Sequence, residues 1–316
     1  MKKVIVSHNL FREGFAELEK HFEVIYPEGS GFTFEQVKPL LKDAYAIIPT
    51  FAFKVTKDVI DAAPNLKIVA NYGVGYDNID WKYAASRGVV VTNSPDPVTQ
   101  PTAELAYTMM LSLARRVAEC DRLYRANEIV HGVMNNLGRT LYGKTLGIVG
   151  MGNIGRAVAR YAKGGDMKII YYNRKRLDES IEQELGATYV SFEELLEQSD
   201  VVSIHAPMTA STRHLFSTAQ FEAMKQSALL INTARGPIVD EKALIESLKK
   251  GDIAGAALDV FEFEPDLNQE FLNLSNVIVT PHIGTATVDA RNAMSAFASN
   301  NVIKFSRGES DITRVN

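Results

Sequence analysis

The sequence predicts an α/β protein made of two parallel-sheet units, one of which carries a glycine-rich turn. Three observations lead there. Short apolar runs alternate with amphipathic segments. The alternation stops in a long helical stretch and restarts near Lys144. The restart then runs straight into Gly150-Met151-Gly152-Asn153-Ile154-Gly155. Alternating strands and helices with apolar strands give a parallel sheet covered on both faces. A chain of 316 residues suits two domains of ordinary size.

In the first block, residues 3–7, 23–26, 45–49, 67–70 and 89–92 are apolar runs of strand length. Between them, 11–20, 34–41, 56–62 and 80–87 have helical periodicity. Residues 101–125 place Leu105, Met109, Leu113 and Val117 on one helical stripe, so a single helix is expected, with the crossing between domains beside it. Residues 127–143 have no period and are expected to be loop. In the second block, 145–149, 168–172, 188–190, 201–204, 228–232, 255–258 and 277–279 are expected strands. A helix over 240–249 is marked by an acidic first turn, a lysine-rich end and Gly251 just beyond. A last helix, about 287–307, is expected to return to the first unit.

Composition excludes several classes. With 34 basic and 38 acidic residues the net charge is −4, so there is no general attraction to nucleic acid or to an anionic membrane. The densest basic run, Arg174-Lys175-Arg176, is too short for a nucleic-acid patch. One cysteine, Cys120, rules out an intrachain disulfide and fits a reducing compartment. No apolar run reaches membrane-span length, and the apolar stretch after Met1-Lys2-Lys3 is too short for a signal peptide, so the expected location is the cytoplasm.

The glycine loop follows a strand and opens a helix, the context in which GxGxxG binds a pyrophosphate. Gly150 permits the turn, Gly152 lets the phosphates approach the backbone, and Gly155 lets helix and strand pack closely. A helix pattern over 156–163 follows, whose N–H groups and positive dipole end suit the phosphates, with Asn153 and Ile154 among the expected cofactor contacts. A structural turn or another adenosine ligand such as S-adenosylmethionine is the competing reading. The next strand ends in Tyr171-Tyr172 and is followed by Asn173-Arg174-Lys175-Arg176, without the acid that selects the 2′-hydroxyl of NAD. Asn173, Arg174 and Lys175 are therefore expected to accept the 2′-phosphate of NADP(H), with NAD(H) possible; a solvated basic turn is the alternative.

Further segments resemble one family across nearly the whole chain. They are Gly73-Val74-Gly75-Tyr76-Asp77-Asn78-Ile79-Asp80, Pro101-Thr102-Ala103-Glu104-Leu105-Ala106, Asn232-Thr233-Ala234-Arg235-Gly236, Ala257-Leu258-Asp259-Val260-Phe261 through Glu264-Pro265, and Thr280-Pro281-His282-Ile283-Gly284. With the glycine loop, this ordered set resembles the D-isomer-specific 2-hydroxyacid dehydrogenases, and the glyoxylate/hydroxypyruvate reductases among them. The resemblance implies a Rossmann-type dinucleotide-binding domain, 99–286, inserted into a flavodoxin-like α/β substrate domain, 1–98 and 287–316. It implies hydride transfer between NAD(P)H and a small 2-keto acid to give the (D)-2-hydroxy acid.

By the same resemblance Arg235, Glu264 and His282 form the catalytic group. The chemistry agrees. Arg235 follows a strand end and its fork suits a carboxylate, His282 is a general acid or base, and Glu264 would hold the imidazole. Glu262 competes for that last role. The backbone of Gly73, Val74 and Gly75 is expected to meet the substrate together with Arg235 and His282, unless it is a plain turn. Thr102, Thr233, Ala234 and Asp259 resemble cofactor contacts. Phe51 and Phe53 form either a wall for the substrate side chain or core. The remaining histidines, His8, His21, His131, His205 and His214, are expected to be structural or surface, and no spacing suits a metal. The family is commonly homodimeric, with 101–125 as a plausible contact. A non-catalytic NAD(P)-sensing corepressor is the alternative, against which the complete Arg–Glu–His set argues.

Overall fold

The computed structural model describes residues 1–316 as two compact units, one of Met1–Pro101 with Thr285–Asn316, the other of Thr102–Gly284. In chain order the first unit contains β1 (Lys3–Val6), α1 (Ala16–His21), β2 (Glu23–Ile25), α2 (Phe34–Leu41), β3 (Ala44–Ile48), α3 (Lys57–Asp61), β4 (Ile68–Ala70), α4 (Trp81–Ser86) and β5 (Val90–Thr92). The helix α5 (Asp96–Ala114) carries the chain across the boundary, and α6 (Val117–Arg125) follows. Then come β6 (Thr145–Val149), α7 (Asn153–Gly164), β7 (Lys168–Tyr172), α8 (Glu179–Leu185), β8 (Ala187–Tyr189), α9 (Phe192–Gln198) and β9 (Val201–Ile204). Last are α10 (Thr218–Ala223), β10 (Leu229–Asn232), α11 (Glu241–Lys250), β11 (Gly255–Leu258), β12 (Val277–Val279) and α12 (Val288–Ser306).

All paired strands are parallel, as the apolar runs predict. The first unit's sheet has the order β2-β1-β3-β4-β5 and the second β12-β11-β10-β9-β6-β7-β8. These are the flavodoxin-like and Rossmann-type orders, reversing beside β1 and β6 respectively. Each sheet has two apolar faces. In the first unit, Val37, Leu41, Val59, Ile60 and Ala84 of α2–α4 cover one face; Leu18 of α1 and Met294, Ala298 and Val302 of α12 cover the other. In the second, α5, α7 and α8 cover one face and α9–α11 the other. The helix α7 packs through Ala157, Val158, Ala159 and Ala162, whose small size allows a close approach. No helix is long and apolar enough to cross a membrane.

The structure corrects the single helix expected over 101–125. It starts earlier, at Asp96, and breaks at Arg116, which has a left-handed φ of 55°. Asp96 and Pro97 supply the start signal, and Pro101 sits inside the helix. The break has a tertiary cause. The chain returns at Gly138, and the Arg139 N–H takes the carbonyl of Ala114 (2.7 Å). A Cβ at Gly138 would fall 2.8 Å from that same oxygen. Three further helices, α8, α9 and α10, lie where no helix is expected from periodicity.

Candidate active site

The glycine turn sits where the larger sheet reverses its strand order, beyond the end of β6. Its three glycines differ in surroundings. Gly150 has φ 100°, and a Cβ there would strike the backbone of His205 and Ala206. Gly155 lies against the Gly150 carbonyl, which any Cβ would overlap. Gly152, in contrast, faces open space, with nothing within 4 Å of an added Cβ. It is the N-cap of α7 and makes no side-chain cap, so the helix's first N–H groups remain for an anion. Behind the turn, His205 pairs through Nε2 with Ser203 Oγ (2.8 Å), and burial pushes the imidazole down to about 4, which keeps it neutral.

The residues after β7 divide in function. Asn173 Oδ1 accepts the Met151 N–H at 2.7 Å and so braces the glycine turn. Arg176 is held by Glu182 through two bonds of 2.9 and 2.8 Å, and Tyr171 donates to the same carboxylate. That pairing holds the Glu182 carboxyl down at about 2. Arg174 and Lys175 are exposed and have no partner within the protein. Further along the strand ends, Thr233 Oγ1 is buried with no hydrogen-bond partner, and Thr102 is buried as well. A turn open to an anion, two cations unpaired within the protein and an orphaned hydroxyl fit a nicotinamide dinucleotide.

Arg235, Asp259, Glu264 and His282 all lie beyond the C-terminal ends of β10, β11 and β12. Asn232, the last residue of β10, shapes the first turn: its Oδ1 accepts the Ala234 N–H (3.0 Å) and its Nδ2 donates to the Arg235 carbonyl (3.0 Å). Arg235 Nη1 donates to the Ala234 carbonyl at 2.7 Å. Gly236 then packs directly on the Phe261 carbonyl, with no room for a Cβ, so the arginine's turn lies against the loop bearing Glu264.

His282 Nδ1 and Glu264 Oε2 are 2.8 Å apart. The second Glu264 oxygen accepts the Phe261 N–H at 2.9 Å. Burial by itself would raise the Glu264 carboxyl. The His282 hydrogen bond and charge, the Phe261 N–H and the Arg235 charge outweigh it and hold the group below the usual carboxylate range. His282 has a left-handed φ of 53°, and Asp259 fixes that bend. The Asp259 carboxylate accepts from Thr280 Oγ1 (2.6 Å), Ile283 N (2.8 Å) and Gly284 N (2.8 Å), and its backbone carbonyl accepts the His282 N–H (2.9 Å). Burial raises the Asp259 carboxyl against these opposing bonds. Glu262 is committed elsewhere, pairing with Arg213 (2.8 Å) and His214 (2.7 Å).

Within the first unit, the carbonyls of Gly73, Val74 and Gly75 are drawn inward. Asn71 Nδ2 donates to Gly73 (3.1 Å) and Gly75 (2.7 Å), Ser94 N to Gly73 (2.9 Å) and Asn93 Nδ2 to Val74 (2.9 Å). The N–H groups of Gly73, Val74, Gly75 and Tyr76 are not used within the protein. Successive free N–H groups make an anion-binding concavity. Phe53 is buried at 6% exposure, which makes it core, whereas Phe51 is 43% exposed.

Sequence reasoning missed two elements of the site, the bracing by Asn173 and the Asp259 clamp on 280–284. Neither has a local signal, because each bond joins segments about twenty residues apart. Gly236, directly after Arg235, was a legible sign of close backbone approach.

The family model described as D-isomer specific 2-hydroxyacid dehydrogenase, NAD binding domain, matches residues 107–284. A glyoxylate reductase from Thermococcus kodakarensis is 44% identical over 320 residues, spanning 99% of this chain and 96% of that one. A crystal structure of a glyoxylate reductase from Paecilomyes thermophila superposes with TM-score 0.89 at 35% identity, covering 99% and 98% of the two chains. An NADPH-dependent glyoxylate/hydroxypyruvate reductase from Sinorhizobium meliloti, in complex with NADP and malonate, superposes with TM-score 0.88 at 34% identity over 99% and 96%.

Proposed function

Given that the chain belongs to the D-isomer specific 2-hydroxyacid dehydrogenases and is an NAD(P)-dependent oxidoreductase, we propose that it reduces small 2-keto acids, glyoxylate and hydroxypyruvate first, with NADPH preferred over NADH. The observation that carries the reading is the His282–Glu264 pair beside Arg235 in a unit with a dinucleotide turn. Gly150, Gly152, Asn153, Ile154 and Gly155 hold the pyrophosphate. Thr102, Thr233, Ala234 and Asp259 line the nicotinamide end. When bound, the dinucleotide supplies the hydride for the keto carbon. Arg235 binds the substrate carboxylate through its fork and draws charge toward the carbonyl oxygen. Gly73, Val74 and Gly75 offer backbone N–H groups suited to a carboxylate.

His282 holds the proton that the carbonyl oxygen takes. Its Nδ1 is engaged by Glu264, so the proton moves at Nε2. Glu264 stabilises the imidazolium before transfer, and in oxidation the same pair accepts the proton back. Residues 99–286 act as the dinucleotide domain and 1–98 with 287–316 as the substrate domain.

The preference for NADPH rests on Arg174 and Lys175, since Arg176 is occupied by Glu182. The test is oxidation of NADPH and NADH, side by side, against glyoxylate, hydroxypyruvate, pyruvate, 2-ketoisocaproate and phenylpyruvate. Glyoxylate and hydroxypyruvate with NADPH are expected to lead; silence across the panel with cofactor bound sinks the reading. In the same assay Asn173→Asp with Arg174→Ala is expected to lower the NADPH:NADH ratio of kcat/KM about 10–100-fold, the worth of one charge-assisted bond. Aspartate at 173 still offers an oxygen to the Met151 N–H, so the turn is kept. An unmoved ratio removes the preference.

The chain pairs with a second copy of itself. Val117, Tyr124, Val130, Val133 and Met134 lie within 18 residues and are all exposed, Val133 at 93% and Met134 at 76%. An apolar band of that kind marks an interface. Light scattering is expected to give the mass of two chains, and a monomer would discard the assignment. A single cysteine fits a reducing compartment, and we take the cytoplasm as the location.

A further inference from the structure

Within the second unit, the loop that carries Glu264 is gripped at two points by one short segment of chain. That segment starts at Arg235 and runs on into α11 at Glu241. Near its start, Gly236 packs on the Phe261 carbonyl and the Glu262 nitrogen. At its end, the Glu241 carboxylate accepts the Glu262 N–H at 2.5 Å. The start of α11 is itself fixed. The Asp240 carboxylate accepts the Ala243 N–H (3.1 Å) and the Ser217 hydroxyl (3.2 Å).

The two glutamates of the loop then part. Arg213 (2.8 Å) and His214 (2.7 Å) take the Glu262 carboxylate. Glu264 turns to His282 Nδ1 (2.8 Å), and its other oxygen accepts the Phe261 N–H (2.9 Å). The backbone bond to Glu241 lies between these two anchors, at the Glu262 nitrogen.

Glu241 is a costly group for a brace. A glutamate in a helix's first turn ordinarily sits in water, where the positive end of the helix favours it. Here the residue is 5% exposed and has no ion-pair partner. The charges that face it, Glu262 and Glu264, have its own sign. With burial they push its carboxyl above the ordinary value, against the Glu262 N–H. Burying an unpaired carboxylate costs more than one backbone hydrogen bond returns. Fold stability alone therefore does not account for it.

We propose that Glu241 is a positioning residue for the proton-transfer pair: by holding the Glu262 N–H it sets the place of the Glu264 carboxylate against His282 Nδ1. The reach of the side chain matters to this and its charge does not. The proposal rests on the roles given above to His282 and Glu264.

The test is the pH dependence of kcat for glyoxylate and hydroxypyruvate with NADPH in the wild type, Glu241→Asp, Glu241→Ala and Glu241→Gln. Aspartate keeps the charge and loses the reach. Alanine loses both. Glutamine keeps the reach and an acceptor oxygen and loses the charge. In the wild type the His282 bond and charge and the Arg235 charge hold the Glu264 carboxyl low. A carboxyl that slips from its cationic partner titrates higher, so activity fails earlier as pH falls. In Glu241→Asp and Glu241→Ala the acid limb of kcat is expected to move up by about one pH unit. Their kcat at neutral pH is expected to fall about tenfold, the worth of one hydrogen bond left unmade. KM for NADPH should hold, and the fluorescence of bound NADPH reports that each variant is folded. In Glu241→Gln the limb is expected to stay and most of kcat to return. A limb that stays in the two short variants overturns the proposal and leaves Glu241 as a packing residue. So does one that moves up in Glu241→Gln as far as in Glu241→Ala. A wild type inert on both substrates sinks the reductase reading instead.

Discussion

Replacing His282 with Asn is expected to lower kcat by about 10²–10⁴-fold, the usual worth of a positioned acid or base. Dinucleotide affinity, read by the fluorescence of bound NADPH, is expected to hold, because the pyrophosphate and ribose contacts proposed here lie at β6 and β7. The size follows from the geometry. His282 is fixed at one ring nitrogen by Glu264 at 2.8 Å, and its backbone is bent by the Asp259 carbonyl and carboxylate. A group held so firmly transfers a proton in one direction with no reorganisation. Asparagine keeps a polar tip but has no titratable proton. Near-normal kcat in His282→Asn would end the assignment.

The pH response follows from Glu264. Its carboxyl sits below the usual carboxylate range, because the His282 and Arg235 charges and the Phe261 N–H outweigh burial. A depressed folded-state value means that the pair's contribution is complete above the ordinary carboxylate value. It is lost as pH falls through the lowered one. Activity and pair stability should thus persist to the acid side of the ordinary range, and Glu264→Gln should remove that protection.

Replacing Arg235 with Gln is expected to lower kcat/KM by about 10²–10⁴-fold. Two bonds from the guanidinium to a carboxylate are lost, each worth about 1.5–3 kcal/mol when one partner is charged. Arg235→Lys should recover only part of this, since an ammonium keeps the charge but not the fork. The turn itself should survive both changes, because Asn232 and Gly236 set it through backbone contacts. Equal kcat/KM in Arg235→Gln and the wild type would remove Arg235 from the site.

Much of the fold is legible in the sequence. Fully apolar runs such as residues 201–204 and 255–258 state their own burial, and their alternation with helices leaves a parallel sheet as the solution. The glycine loop announced its place because three glycines in a strand–turn–helix context have few other uses. The break at Arg116 was not legible, because its cause is the carbonyl of Ala114 captured by Arg139 from beyond a loop. The sequence marks Asn173 as a contact to a ligand, and the fold also uses it to brace Met151.

The sequence by itself determined the fold class, the location of the phosphate turn and the residue types needed for the chemistry, because periodicity, glycine spacing and charge act over a few residues. The tertiary structure alone decided which glutamate meets His282 and which cations after β7 are left unpaired. Those outcomes depend on hydrogen bonds between distant strand ends, and no local pattern records which of several chemically equal groups the packing brings within 3 Å.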